Sequence, residues 1–286
     1  MKVTQPQIDQ YRMKTYRMLP GKHLAGPNDA VKFVNERGFA YLWPIKNVEM
    51  PNLWNATTGN RPVADDHDDP GHVTWGWKDE LLDKRVWYYA RIIKNRNTFV
   101  SHDLIPYFYA LSPNYGDPEE DFQDQYQQGL MTLETKLIFE ALLKEGPLDT
   151  ISLRKAAHQT SKNSDSGFTK ALDTLQSQLK VLPVGVTNAG RWGYAFAYDL
   201  THRYYPDLIE QARPIRESAA RQKIVATYLE SVGAATARDI SRIFQWTPEL
   251  TQRTLNSLIS SELIFESEPL EGEKANLFIT KSLQTL

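Results

Sequence analysis

The chain contains no cysteine. That excludes disulfides, thiolate nucleophiles and cysteine-ligated zinc or iron–sulfur centres, and it fits a reducing cytoplasm. No apolar run reaches the roughly 18 residues that a membrane-spanning helix needs. The opening stretch, MKVTQPQIDQYRMK, has no apolar core of the kind a secretory signal carries. Surplus positive charge is missing too: 33 Lys and Arg face 35 Asp and Glu, a formal net charge of −2. Phosphate neutralisation drives affinity for nucleic acid, so any basic face must be local and balanced by acid elsewhere. No G-x-G-x-x-G, P-loop, H-E-x-x-H or G-x-S-x-G motif occurs, which removes nucleotide-dependent, zincin and serine-hydrolase classes. A cytoplasmic monomer with no cofactor and no metal is expected.

What is present is ordinary globular composition over 286 residues, 41% hydrophobic and 24% charged, enough for two or three small domains. Two stretches, 131–200 and 217–280, repeat one plan of helix, short helix, long helix, strand, turn, strand. In the first, Leu133 to Lys144 has helical periodicity, Asp149 caps a short helix, and Ser164 or Asp165 caps a long one. Val181 to Val186 and Tyr194 to Tyr198 make its hairpin. In the second, Ser218 to Ser231 is amphipathic, Thr236 caps a short helix, and Thr247-Pro248-Glu249 opens a long one. Leu263–Glu266 and Asn276–Ile279 close it.

That order is the winged-helix plan, whose common use is docking on nucleic acid. The acidic, turn-rich segment Ser112 to Gly129 reads as a domain boundary. The expected architecture is therefore mainly α with small β-hairpins, as tandem winged-helix units. Residues 1–120 form a winged-helix-like domain, 121–206 a second unit and 207–286 a third. Within the first, helices are expected at Ile8 to Met18, Asp29 to Glu36, Lys78 to Tyr89 and Asp103 to Leu111, with strands at Arg91–Ile93 and Thr98–Val100.

Several constellations could carry chemistry. Trp43, Trp54, Trp75 and Trp77 fall within 35 residues and could stack a flipped base, although a core of large residues explains them equally. Glu49, between Trp43 and Trp54, is the candidate catalytic carboxylate; the competing reading is a solvent-exposed glutamate. Asp65, Asp66, His67, Asp68 and Asp69 form the densest acidic cluster but match no metal motif and read as a solvated loop. For nucleic acid, the candidate contacts are Arg91, Lys94 and Arg96 around a hairpin turn and Arg191 and Trp192 at the next one. Lys170 and Arg253 sit on the two long helices, too sparsely charged for deep reading of the major groove.

Three passages resemble one family: Leu137 to Leu142 with Gly146 to Thr150, Phe168 to Leu172 with Leu175-Gln176, and Tyr198-Asp199-Leu200-Thr201-His202-Arg203-Tyr204-Tyr205-Pro206. They are similar to the AlkZ/YcaQ-like winged-helix DNA glycosylases. Arg96-Asn97-Thr98-Phe99, Asp103-Leu104 and Ala110-Leu111 resemble that family more loosely. The resemblance implies three consecutive winged helices, damaged duplex DNA as partner, and excision of alkylated bases. It also implies a Gln-x-Asp or Gln-x-Gln motif just after the glycine that ends an early helix. Here that place is held by Gly38-Phe39-Ala40-Tyr41-Leu42, without glutamine or aspartate, and Val100 stands where the family places a histidine. The chain resembles a divergent branch. Two other readings stay open beside a DNA glycosylase: a catalytically silent DNA-binding or regulatory protein, and a binding module for a planar small molecule.

Overall fold

The computed structural model describes residues 2–114, 116–161, 165–190 and 192–284. The first part opens with helix α1 (Gln5–Thr15), begun by a capping box between Thr4 and Gln7. Helix α2 (Pro27–Arg37) stops at Gly38, whose φ of 76° suits a residue without Cβ. Strand β1 (Phe39–Tyr41) follows, then helix α3 (Leu53–Thr58), where the Asn52 side chain accepts from the Asn55 N–H. After helix α4 (Val73–Leu81) come strands β2 (Tyr88–Arg91) and β3 (Asn97–Val100) and helix α5 (Ile105–Tyr109). The three strands form an antiparallel sheet in the order β1-β3-β2.

Two expectations shift here, one helix and the strand at Arg91–Ile93, which runs Tyr88–Arg91 instead. The helix expected over Lys78 to Tyr89 breaks: α4 ends at Leu81, a 3-10 turn runs Leu82–Lys84, and Arg85 turns the chain at φ 53°. Tyr88 and Tyr89 then pair with Val100 and Phe99. Cross-strand aromatic contact outweighs the helical spacing of the apolar residues. The segment Ser112 to Gly129, read as a boundary, carries a helix of its own. Asp117 caps helix α6 (Pro118–Gln127), Pro118 sits in its first turn, and Phe122 packs on Phe139 at 4.8 Å.

The middle part contains α7 (Leu133–Glu145), β4 (Leu148–Asp149), α8 (Thr150–Ala156), α9 (Asp165–Ser177), β5 (Val181–Thr187) and β6 (Ala195–Leu200). Short helices α10 (Thr201–Tyr204) and α11 (Leu208–Ala212) lead out of it. The last part has α12 (Glu217–Val232), β7 (Ala234–Thr236), α13 (Ala237–Phe244), α14 (Pro248–Ser260), β8 (Ile264–Ser267), β9 (Leu277–Thr280) and α15 (Lys281–Gln284). Sheet orders β4-β6-β5 and β7-β9-β8 repeat that of the first sheet. The described residues are mainly helical, with three small antiparallel sheets. The first strand of each sheet, β1, β4 and β7, lies outside the sequence expectation, being too short to show alternation.

Helix α1 leaves its own neighbours and packs on the last part, where Val3, Ile8 and Tyr11 join Ala234, Leu277, Ile279 and Leu283 in one buried cluster. Tyr11 donates to the Glu230 carbonyl at 2.8 Å, and Thr15 to that of Ser231 at 2.7 Å. Gly233 makes this approach workable. Its φ is 78°, and a Cβ there would lie 2.7 Å from Tyr11 Cδ1. Gly233→Ala combines a left-handed non-glycine residue with overpacking, so it is expected to cost about 3 kcal/mol. Urea unfolding followed by circular dichroism measures this; a loss within noise would show that α1 gives way freely.

Candidate functional site around Glu49

After β1 the chain turns out through Pro44 and returns along Met50 to Asn52. The return is fixed by the Tyr41 N–H, which donates to the Pro51 carbonyl at 2.9 Å, and by a bridge between Ile45 and Val48. This loop carries Glu49 up against α1 and the α12–β7 junction. The Tyr16 hydroxyl donates to Glu49 Oε1 at 3.0 Å, and Arg12 donates to Oε2 at 3.1 Å. The Tyr228 hydroxyl donates to the Glu49 carbonyl at 3.1 Å. Arg12 is itself held by the carbonyls of Val232 at 3.0 Å and Ala234 at 3.2 Å. Burial, with Glu49 beside it, pushes the Tyr16 phenol well above its ordinary range, so it remains a donor. Burial does the same to Tyr228.

Glu49 opens onto a cleft of 460 Å³, also lined by Asn55, Asn60, Asp239 and Arg242. Its side chain is 44% exposed, against 18% for Arg12. The carboxylate is therefore partly open to the cleft while each of its oxygens accepts from the protein and is held in place. Such a group can orient a water molecule and stand against developing positive charge. Across the cleft, Arg242 donates to the Asn47 carbonyl at 3.0 Å and to Asp239 at 2.9 Å, and Lys94 donates to the Arg242 carbonyl at 3.3 Å. Lys94 is thereby tied to the helix that carries Arg242, but it does not itself line the cleft. Arg12, Tyr16, Tyr228 and Arg242 escaped the sequence reading. The only local signal was Arg12 and Tyr16 sharing a helix face at a spacing of four.

The tryptophans lie elsewhere. Trp54 is 0% exposed and Trp77 8%, both packed in core rather than lining the cleft. Trp54 donates its indole N–H to the Arg61 carbonyl at 3.1 Å. Trp43 and Trp75 are half-buried and lie 5.5 Å apart. The core explanation holds for two of the four outright, and none of the four borders the cleft. Asp69 is tied to Arg61 at 2.8 Å and to the Gly71 N–H at 2.7 Å. The hydrogen bond from Arg61 holds its carboxyl down at about 2. Asp65, Asp66, His67 and Asp68 are exposed, and no metal-holding group of three converges among the described residues.

The remaining cations divide. Arg91 pairs with Asp173 at 2.8 Å and so straps β2 to α9, which removes much of its charge from any ligand. Arg96, Lys170 and Arg253 are exposed, and Trp192 is 84% exposed. They do not gather at one place: Arg253 borders a separate groove between α12 and α14. Arg191 lies outside the described residues.

Lys78 was not singled out in the sequence. It is buried, pairs with Asp79, donates to the Tyr194 hydroxyl at 3.0 Å, and lies 4.3 Å from the ring centres of Trp75 and Phe196. It clamps α4 to the β5–β6 hairpin. Desolvation pulls its ammonium down to about 8, against partial support from Asp79. The unfolded chain binds this proton up to about 10.4. Between those values the unfolded state holds more protons, so stability rises with pH; the penalty is complete below the lower value. Lys180, also lowered to about 8, acts in the same sense. Lys78→Met is expected to flatten the gain in unfolding free energy between pH 7 and 9.5 in urea titrations; an unaltered slope would remove Lys78 as its source.

A family described as AlkZ related matches residues 24–245. Among solved structures, Streptomyces sahachiroi DNA glycosylase AlkZ is similar, with a TM-score of 0.62 at 14% identity, over 100% of this chain and 72% of that one. At that identity the likeness is one of fold. No curated protein matches the chain. Among the described residues, no helix is long and apolar enough to cross a membrane.

Proposed function

Because the chain belongs to the AlkZ-related family, we propose that it binds damaged duplex DNA and releases a base by hydrolysing its N-glycosidic bond. The observation that carries this reading is Glu49, held by Arg12 and Tyr16 at the wall of an open polar cleft. Each of the three sheet-bearing parts is read as a winged helix, divided at 1–120, 121–206 and 207–286, and the protein as a monomer. The displaced nucleotide enters the cleft, whose size suits a small planar ligand. Water attacks C1′ of the sugar, the bond from C1′ to the base nitrogen breaks, and its electron pair leaves with the base. Glu49 takes the proton of the attacking water and offsets positive charge on the sugar. Lys94 and Arg242 face the adjoining phosphates, while Arg96, Lys170, Trp192 and Arg253 extend the contact with the backbone.

This carboxylate is not where the family resemblance puts its polar pair. Phe39, Ala40 and Tyr41 occupy that place, all at most 1% exposed, with the Tyr41 hydroxyl turned to the Ile93 carbonyl at 3.4 Å. That filling of β1 favours a second reading, in which the chain binds DNA without cutting any bond. Incubation with duplex containing N7-methylguanine, followed by alkali, separates the two. Strand breaks support hydrolysis. Salt-dependent binding without breaks supports the silent binder. No affinity at low salt overturns both and leaves the small-molecule module.

A further inference from the structure

A second pocket lies beyond Ile243, which lines both it and the Glu49 cleft. It has a volume of 170 Å³, the space of about six liquid waters at about 30 Å³ each. That is below the range of drug-sized sites and suits a single ring system. Elements of all three parts meet there: the β2–β3 turn, the end of α9, and the end of α13. Leu179 and Gln245 take left-handed backbone conformations after α9 and α13, so both helices end at the pocket. Their carbonyl ends favour hydrogen-bond donors. The walls mix polar and apolar surface in nearly equal measure, the apolar share coming from Ile93, Phe108 and Leu179 beside the stacked pair Phe244 and Trp246, whose centres lie 5.0 Å apart.

Two polar features say what fits. The Gln178 side-chain oxygen is shielded from solvent and accepts no hydrogen bond among the described residues. A buried acceptor without a donor is costly, and a ligand N–H would satisfy it. At the rim stands the Lys94 ammonium, with one of its three protons committed to the Arg242 carbonyl. A small planar ring bearing N–H groups and tethered to an anion meets both requirements. We infer that this pocket receives a second, undamaged nucleobase, the one left unpaired opposite the displaced nucleotide, with its phosphate on Lys94. The inference rests on the duplex-DNA reading above. The Arg221 guanidinium lies over the Trp246 indole at 5.5 Å and Phe244 stacks on that ring, so the base meets it at its edge.

The test uses the full chain and a duplex carrying 2-aminopurine opposite a tetrahydrofuran abasic analogue, with a fully paired duplex as control. The expected result is a change in 2-aminopurine fluorescence on binding that is lost in Trp246→Ala. That variant should weaken binding to the unpaired probe roughly three- to tenfold, the range of an edge-on aromatic contact, and leave the paired duplex unaffected. Gln178→Leu, which spares the aromatic wall, should reproduce the selective loss. Trp246 is only half-buried, and thermal melts check that both variants fold. Tight binding of both duplexes with no selective effect in either variant overturns the subsite and spares the DNA reading. Failure to bind either duplex overturns both.

Discussion

Glu49→Gln is expected to bind duplex as the parent protein does and to release base at least about a hundredfold more slowly, the usual scale for loss of a general base. The amide keeps the shape of the side chain and can still accept from Tyr16. It cannot take a proton from water, and it removes the negative charge that faces the sugar. Tyr16→Phe is the companion: the carboxylate stays but loses one of its two side-chain donors. A loss of roughly tenfold is expected, as for one hydrogen bond to a charged group. Quantifying abasic sites over time, with binding measured separately, checks both. Full turnover in the glutamine variant would take the role away from Glu49 and send the search to Asp239, the other carboxylate of the cleft.

Trp54→Ala is expected to cost about 3–5 kcal/mol, the range for removing a buried aromatic side chain. Its ring is fully enclosed, with the Arg61 guanidinium 4.8 Å from its centre and a close approach by Gly71. Trp43→Ala, on a half-buried ring, should cost clearly less. For a chain of this size the first change corresponds to a fall of roughly 10 °C in melting temperature. Similar melting curves for the two variants would mean that Trp54 is not the anchor its burial indicates. The comparison also separates packing from binding, because neither ring borders the cleft.

The contrast between these residues shows what the chain discloses in one dimension. Helices announced by caps and regular apolar spacing, such as α7 and α14, are legible because the signal is local. The strands β1, β4 and β7 are two or three residues long, and their pairing partners lie dozens of positions away, so no pattern marks them. The α4–β2 boundary was hidden because Leu81, Leu82 and Tyr89 fit a helix until Phe99 and Val100 are brought alongside. The α6 start, by contrast, was readable in Asp117-Pro118-Glu119 and was outweighed by the polar composition around it. For the site, Glu49 could be nominated from its residue type. Its partners could not, since Tyr16 and Arg12 reach it from 33 and 37 positions away and Tyr228 from 179.

The clasp of α1 on the last part has a temporal side. Arg12 has its carbonyl acceptors at residues 232 and 234, and Thr15 makes its shorter hydrogen bond to residue 231. During synthesis, a ribosome that has made the first sheet has not yet supplied the floor on which this helix rests. The nascent chain therefore carries Arg12, Tyr16 and Glu49 without the wall that organises them, and the cleft comes into being only once α12 and β7 emerge.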